Sequence, residues 1–260
     1  MKNLRTPFKF IFILIFLSNV LIADDIKRIL FVGNSYFYYN DSLHNHTESL
    51  LIEYYEDEEI VTKSATIGGS KLRNHNIDHL LDYKNLQLDE QIDLLIMQGG
   101  SYEVISQKSR AKFAETASEY SAKAQRLGIK TALYMTHAYL ENYRRYEPNL
   151  IEKIKKTYYE AGKKSDSLVI PVGLAYEIAY QKNPEIKLHH PDGTHPGLLG
   201  TYLAACTVFA VMTNKSPEGL LYNYLDRISD EDRVFLQGIA WEAYLENSKF
   251  YNKKMYKLRY

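Results

Sequence analysis

Five short apolar runs recur along the chain: "RILFVG" (28–33), "EIVTKSAT" (59–66), "IDLLIMQ" (92–98), "KTALYMT" (130–136) and "SLVIPVG" (167–173). Each has the length and β-branched character of a strand bounded by turn residues. Between most of them the apolar positions return at the helical period. "SLHNHTESLLIEYYEDE" opens with Ser42, a predicted N-cap, and "QKSRAKFAETASEYSAKAQRLG" closes at Gly128, a predicted C-terminal stop. "EPNLIEKIKKTYYEAGKKS" carries Pro148 near its start. After the fifth run come "GLAYEIAYQ", the Pro/His-rich "NPEIKLHHPDGTHPG", and two more predicted helices over 198–213 and 229–250. Strands alternating with helices predict an α/β three-layer sandwich: a five-stranded parallel sheet covered on both faces. Near-continuous apolar strands such as "DLLIM" fit a sheet buried on both sides. No internal repeat, low-complexity linker or internal boundary interrupts the pattern, so one domain is predicted over 24–260.

The first 23 residues read differently. Lys2, Arg5 and Lys9 flank and precede "FIFILIFLSNVLIA", which ends at Ala23 before Asp24 and Asp25. A basic start, an apolar stretch and a small residue before a polar one predict a secretory signal peptide. The apolar stretch is shorter than the roughly 20 residues of a membrane span. An uncleaved anchor is the alternative, and Leu21 is larger than the residue such cleavage sites prefer at that position. The mature chain is therefore expected to begin near Asp24 and to be exported, to the periplasm or the exterior, with membrane contact only through an uncleaved N-terminal segment.

Composition narrows the function. Lys+Arg and Asp+Glu both number 32, so the chain lacks the basic excess of a nucleic-acid binder. The locally basic tail at Lys253, Lys254, Lys257 and Arg259 reads as a solvated terminus. The single cysteine, Cys206, excludes an internal disulfide and sits in the apolar run "TYLAACTVFAVM", which predicts a buried, inert thiol.

The polar residues gather where strands end. In open α/β sheets, ligands bind beyond the carboxyl ends of the strands, where the strand order reverses. The first strand ends at "GNS", the second at "IGGS" and the third at "QGGS", and "PDGTHPG" later supplies an acid and an imidazole three residues apart. This set fits nucleophilic ester hydrolysis: Ser35 as nucleophile, His195 as base, and Asp192 to fix the imidazole tautomer. Ser70 and Ser101, which also follow paired glycines, are the rival nucleophiles, and neither ends the first strand. His189, His190, Asp192 and His195 are also metal-ligand types, but one short loop without an H-E-x-x-H helix predicts no metal, and no cofactor is expected. Phe37 breaks a G-x-S-x-G elbow, and no phosphate-loop motif follows the first strand.

These motifs resemble the SGNH (GDSL-like) hydrolases across nearly the whole mature chain. "VGNSYFYYND" is similar to their first block, with its serine nucleophile, "ATIGGS" to their second, and "DGTHPGLLGTYLAA" to their last, Asp-x-x-His followed by a helix with small residues. The resemblance implies a flavodoxin-like fold and an oxyanion held by the Ser35 and Gly69 N–H groups, with Gly68 the fallback. The third block departs from the common Gly-x-Asn-Asp, since Gln98 stands where that block has its Asn. Branches with sialic-acid and xylan acetylesterases look similar in using Gln, which implies that the Gln98 amide is the third donor. The resemblance also implies short acyl groups, acetyl on a carbohydrate, as substrate. The alternatives are a lipase or lysophospholipase, or a non-catalytic carbohydrate-binding protein on the same fold. Among the 23 tyrosines, Tyr36, Tyr139 and Tyr143, with Arg144, are the candidates for the pocket wall, because tyrosine offers a sugar both a face and a hydroxyl.

Overall fold

The computed structural model describes residues 26–56 and 58–249. The predicted signal peptide over 1–23 and the basic tail lie outside these residues. The order is β1 (Arg28–Gly33), α1 (Ser35–Tyr38), α2 (Leu43–Tyr55), β2 (Val61–Thr66), α3 (Ile77–Leu80), β3 (Leu94–Gln98), α4 (Gln107–Arg126) and β4 (Lys130–Tyr134). It continues through α5 (Leu150–Ser165), β5 (Leu168–Ile170), α6 (Val172–Lys182), α7 (Leu198–Thr213) and α8 (Asp230–Asn247). All strand pairs are parallel, in the order β2-β1-β3-β4-β5. The chain leaves β1 toward one edge and returns past it to β3, so the strand order reverses between β1 and β3. In open α/β sheets such a reversal marks where ligands bind, beyond the carboxyl ends of the two strands.

Strand alternation sorts the core into two layers. Ile29, Phe31, Leu94, Ile96, Ala132, Tyr134, Leu168 and Ile170 face one side, where α2, α6, α7 and α8 pack. Leu30, Val32, Leu95, Met97, Leu133 and Val169 face the other, against α4 and α5. α7 contacts α2, α6 and α8 as well as β5, which explains why it is apolar nearly all round. Cys206 lies within it, fully buried, and burial pushes its thiol up.

The ends of α4 and α8 follow ordinary capping chemistry, while the N-caps of α2, α5, α6 and α7 make no side-chain hydrogen bond. Ser106 and Ser229 accept from the N–H groups of Ser109 and Asp232, and Gly128 closes α4 with φ +80. Ser42 precedes α2 as expected but makes no side-chain cap. It sits at the end of three consecutive non-glycine residues with positive φ, Asn40, Asp41 and Ser42, and its hydroxyl pairs with His44 Nδ1 at 2.7 Å. β2 and β5 are shorter than their apolar runs. The polar edge strand β2 starts only where the Val61 N–H meets the Lys27 carbonyl, and Pro171 ends the β5 run as the residue before α6.

The segment between β5 and α7 is anchored from below. The Leu188 carbonyl accepts from the Gly197 N–H at 2.7 Å, and a Cβ on Gly200 would lie 2.1 Å from that carbonyl and 2.1 Å from the Tyr176 hydroxyl. Close approach of α7 to this loop therefore requires glycine. Gly200→Ala is expected to cost roughly 1–3 kcal/mol through overpacking, measured by denaturant unfolding; unchanged stability would show that α7 can shift away without penalty.

Candidate active site

After Gly33 the chain turns at Asn34. The Asn34 N–H donates to Gln98 Oε1 (3.2 Å), its Oδ1 accepts from the Tyr36 N–H (3.1 Å), and its Nδ2 donates to the Ser70 carbonyl (3.0 Å). Ser35 is thereby fixed as the first residue of α1, at the strand reversal.

Opposite it stands the loop 188–197. His190 N–H donates to the His195 carbonyl (2.8 Å) and Gly193 N–H to the His190 carbonyl (3.0 Å), while His189 and Pro196 form a bridge. This closed loop presents Asp192 and His195 together. Asp192 Oδ1 accepts from the N–H groups of Thr194 and His195, both at 2.9 Å, and its Oδ2 accepts from His195 Nδ1 at 2.6 Å. Partial burial opposes ionisation of Asp192, but these two N–H donors and the imidazole outweigh it and hold the carboxyl well below the usual range. An ionised carboxylate accepts only, so the His195 proton sits on Nδ1 and Nε2 faces Ser35 Oγ at 3.0 Å. The sequence-predicted Ser35, Asp192 and His195 are thus brought into one hydrogen-bonded line.

An aromatic wall fixes the ring. Tyr39 stacks on His195 (4.3 Å, 4°) and Tyr36 meets it edge-on (5.8 Å, 86°). Tyr36 in turn stacks on His137, and His137 on Tyr176. The Tyr36 hydroxyl pairs with Thr194 Oγ1 (2.7 Å), and His137 Nε2 donates to the Thr194 carbonyl (2.7 Å). Burial, and then the neighbouring His189, push His137 well down, so it is neutral and its Nε2 carries the proton. His189 is pushed down to about 4, chiefly by burial, and is held by Tyr180 and the Ala138 carbonyl. The ring nitrogens of His189 are therefore occupied, and His190 is exposed at the loop surface.

Three expectations need correction. Gln98 does not offer a free amide to an oxyanion: Nε2 donates to Asn34 Oδ1 (2.9 Å) and the Gly99 carbonyl (2.8 Å), and the side chain is 1% exposed. The extra methylene lets the amide fold back onto Asn34. Tyr36 and Tyr139 are 2% and 5% exposed. They form the backing of the site rather than its surface, with the Tyr139 hydroxyl donating to the Ser101 carbonyl. Tyr143 and Arg144 do reach the rim. The more exposed tyrosines beside His195 are instead Tyr38 and Tyr39, which the run "YFYYN" contained without distinguishing inward from outward positions.

Gly69 lies in the turn that follows β2, with φ +67, beside the end of β1, since the Ile67 N–H donates to the Gly33 carbonyl. Among the described residues, the N–H groups of Ser35 and Gly69 donate to no protein acceptor. Of the rival serines, Ser70 is buried and paired with His75 Nε2 (3.1 Å) without a carboxylate, and Ser101 stands in a turn with no imidazole partner.

No protein-family model matches the chain. No curated protein matches it. Solved structures do. A DUF4886 family protein from Bacteroides uniformis superposes with TM-score 0.68 at 20% identity, covering 85% of this chain and 95% of that one. A candidate SGNH hydrolase from Slackia heliotrinireducens gives 0.59 at 21%, covering 72% and 100%. An acetylxylan esterase from Geobacillus stearothermophilus, solved as a catalytic mutant, gives 0.56 at 13%, covering 72% and 94%. The likeness is one of fold.

The buried histidines make the site acid-labile. A histidine whose folded pKa lies below its unfolded value leaves the unfolded chain binding more protons, so stability falls as pH drops from about 6.5 toward the folded value. For His189, held at about 4, this removes about 3 kcal/mol, and His44, His46, His75 and His137, all pushed down first by burial, act in the same direction. Denaturant unfolding between about pH 7 and pH 4.5 should show a steep loss, shallower in His189→Gln. A flat profile would contradict the neutral assignment.

Proposed function

We propose that this chain, whose fold is that of the SGNH hydrolases, is an exported serine esterase that removes short acyl groups, acetyl above all, from a carbohydrate. The observation that carries the reading is the line Ser35 Oγ to His195 Nε2 (3.0 Å) and His195 Nδ1 to Asp192 Oδ2 (2.6 Å). A hydroxyl is a weak nucleophile until a base removes its proton, and this line supplies the base with its tautomer fixed.

In the first step Ser35 Oγ attacks the acyl carbon while its proton moves to His195 Nε2. The carbonyl π pair becomes an oxyanion, and Asp192 stabilises the imidazolium. The free N–H groups of Ser35 and Gly69 are the donors assigned to the oxyanion; one such donor is typically worth about 3–4 kcal/mol. Gln98 acts behind them, holding Asn34 and through it the turn that aims Ser35. The intermediate collapses, the alkoxide of the sugar leaves with the proton from Nε2, and an acyl-serine remains. Water, deprotonated by the same Nε2, attacks it, and collapse releases the carboxylic acid and restores Ser35.

The carbohydrate assignment draws support from the surface tyrosines Tyr38, Tyr39, Tyr102 and Tyr143, whose rings and hydroxyls suit a sugar. The acetyl assignment draws support from the acetylxylan esterase that shares the fold. Export rests on the N-terminal basic and apolar pattern. A balance of 32 basic and 32 acidic residues supports a partner other than nucleic acid.

Turnover of 4-nitrophenyl acetate tests the reading. Ser35→Ala and His195→Ala are each expected to lower kcat by about 10⁴-fold or more, and Asp192→Asn by about 10³- to 10⁴-fold with KM nearly kept. Turnover retained in Ser35→Ala would overturn it.

A further inference from the structure

Beyond the triad, the rim carries charge that the protein does not neutralise. The chain from Tyr139 to Arg145 is stitched to the loop that holds Asp192 and His195. Leu140 N–H donates to the Gly193 carbonyl (2.9 Å) and Asn142 Nδ2 to the Pro191 carbonyl (2.9 Å). The residues that follow, Tyr143, Arg144 and Arg145, therefore stand at the edge of the catalytic loop. There Tyr143 donates to the Tyr102 hydroxyl (2.9 Å), the Arg145 guanidinium lies over the Tyr102 ring at 3.7 Å, and the exposed Arg144 links Tyr143 to Arg145 in the chain.

Two permanent cations thus stand next to each other in the chain, one of them on the Tyr102 ring. Among the described residues neither arginine is within ion-pair distance of a carboxylate. Of the neighbouring acids, Glu147 pairs with Lys153, while Glu141 meets the Tyr146 hydroxyl at 3.4 Å and forms no ion pair with either arginine. Overall basicity does not explain the pair, since the chain as a whole is balanced. Stacking on Tyr102 orients the Arg145 fork, and a planar guanidinium with unused N–H donors matches a carboxylate or sulfate in bidentate fashion.

We infer that Tyr102, Tyr143, Arg144 and Arg145 form a subsite for an anionic group, carboxylate or sulfate, borne by the carbohydrate beside the ester that Ser35 attacks. The inference rests on the esterase reading for its place in turnover, but not for binding. The natural substrate class becomes an acylated acidic glycan, and the arginines select it over a neutral one.

Ser35→Ala protein, which leaves this rim untouched, is titrated calorimetrically with three oligosaccharides of equal length: uncharged, uronic-acid-bearing and sulfated. At least one acidic ligand is expected to bind about tenfold or more tightly than the uncharged one, less so in added salt. Adding Arg144→Ala and Arg145→Ala together should erase that preference, and circular dichroism checks that this variant is folded. Preference for the uronic acid or for the sulfate identifies which anion is read. Equal binding of all three ligands, or a preference that survives loss of both arginines, would overturn the inference. Absence of ester turnover in the wild-type protein alongside arginine-dependent binding would instead count against the esterase reading alone.

Discussion

The site depends on one turn of four residues. Asp192 accepts three hydrogen bonds from Thr194 and His195, two from their backbone and one from the imidazole. The carboxylate therefore organises its own loop and the His195 ring in the same act. Without the backbone donors, Asp192 would be a surface acid free to rotate away, and the imidazole would lose the partner that fixes its tautomer. Such a loop keeps its relation to Ser35 only if it is held against the turn that follows β1. That role falls to contacts from both sides. Asn40 Nδ2 donates to the Pro196 carbonyl and to Thr201 Oγ1, and Tyr36 is tied to Thr194. Three consecutive residues with positive φ after α1, Asn40 to Ser42, are the local strain that accompanies this bridging.

Behind Ser35, His195 and Asp192 lies a wall of stacked rings instead of an aliphatic core. Tyr36, His137 and Tyr176 form one stack, and His189 meets the last two edge-on. Two of these rings reach loop carbonyls, His137 that of Thr194 and His189 that of Ala138, while the Tyr176 hydroxyl and His137 Nδ1 are buried without a partner among the described residues. The wall therefore packs the site and spends its hydrogen bonds on the loops that must stay in place. Its cost is a set of histidines that must remain neutral.

Much of this was legible in the sequence. Five apolar runs correspond to five parallel strands, and the strand-end rule put Ser35 at the turn after β1 because an apolar strand running into Gly-Asn-Ser leaves little else for the turn to present. Asp192 and His195 were legible because a spacing of three suits a carboxylate and an imidazole in one turn. Gln98 was not. Its residue type announces an amide donor, but the donor's direction depends on where Asn34 sits, and that is set by β1 and β3 being neighbours. The tyrosines failed for a related reason. In "YFYYN" the short helix α1 turns Tyr36 inward and Tyr38 outward, and no periodicity can be read from four residues. Ser42 lost its capping role to backbone conformation, which the residue name does not reveal.

The central claim is that the Ser35–His195–Asp192 line makes one serine reactive among all those in the chain. Fluorophosphonate labelling of the folded protein, with the modified residue mapped by mass spectrometry, tests this most directly. The account predicts a single phosphonylated residue, Ser35, with labelling lost in His195→Ala and strongly slowed in Asp192→Asn. Labelling at Ser70 or Ser101, or none at Ser35 in protein shown to be folded, would contradict it.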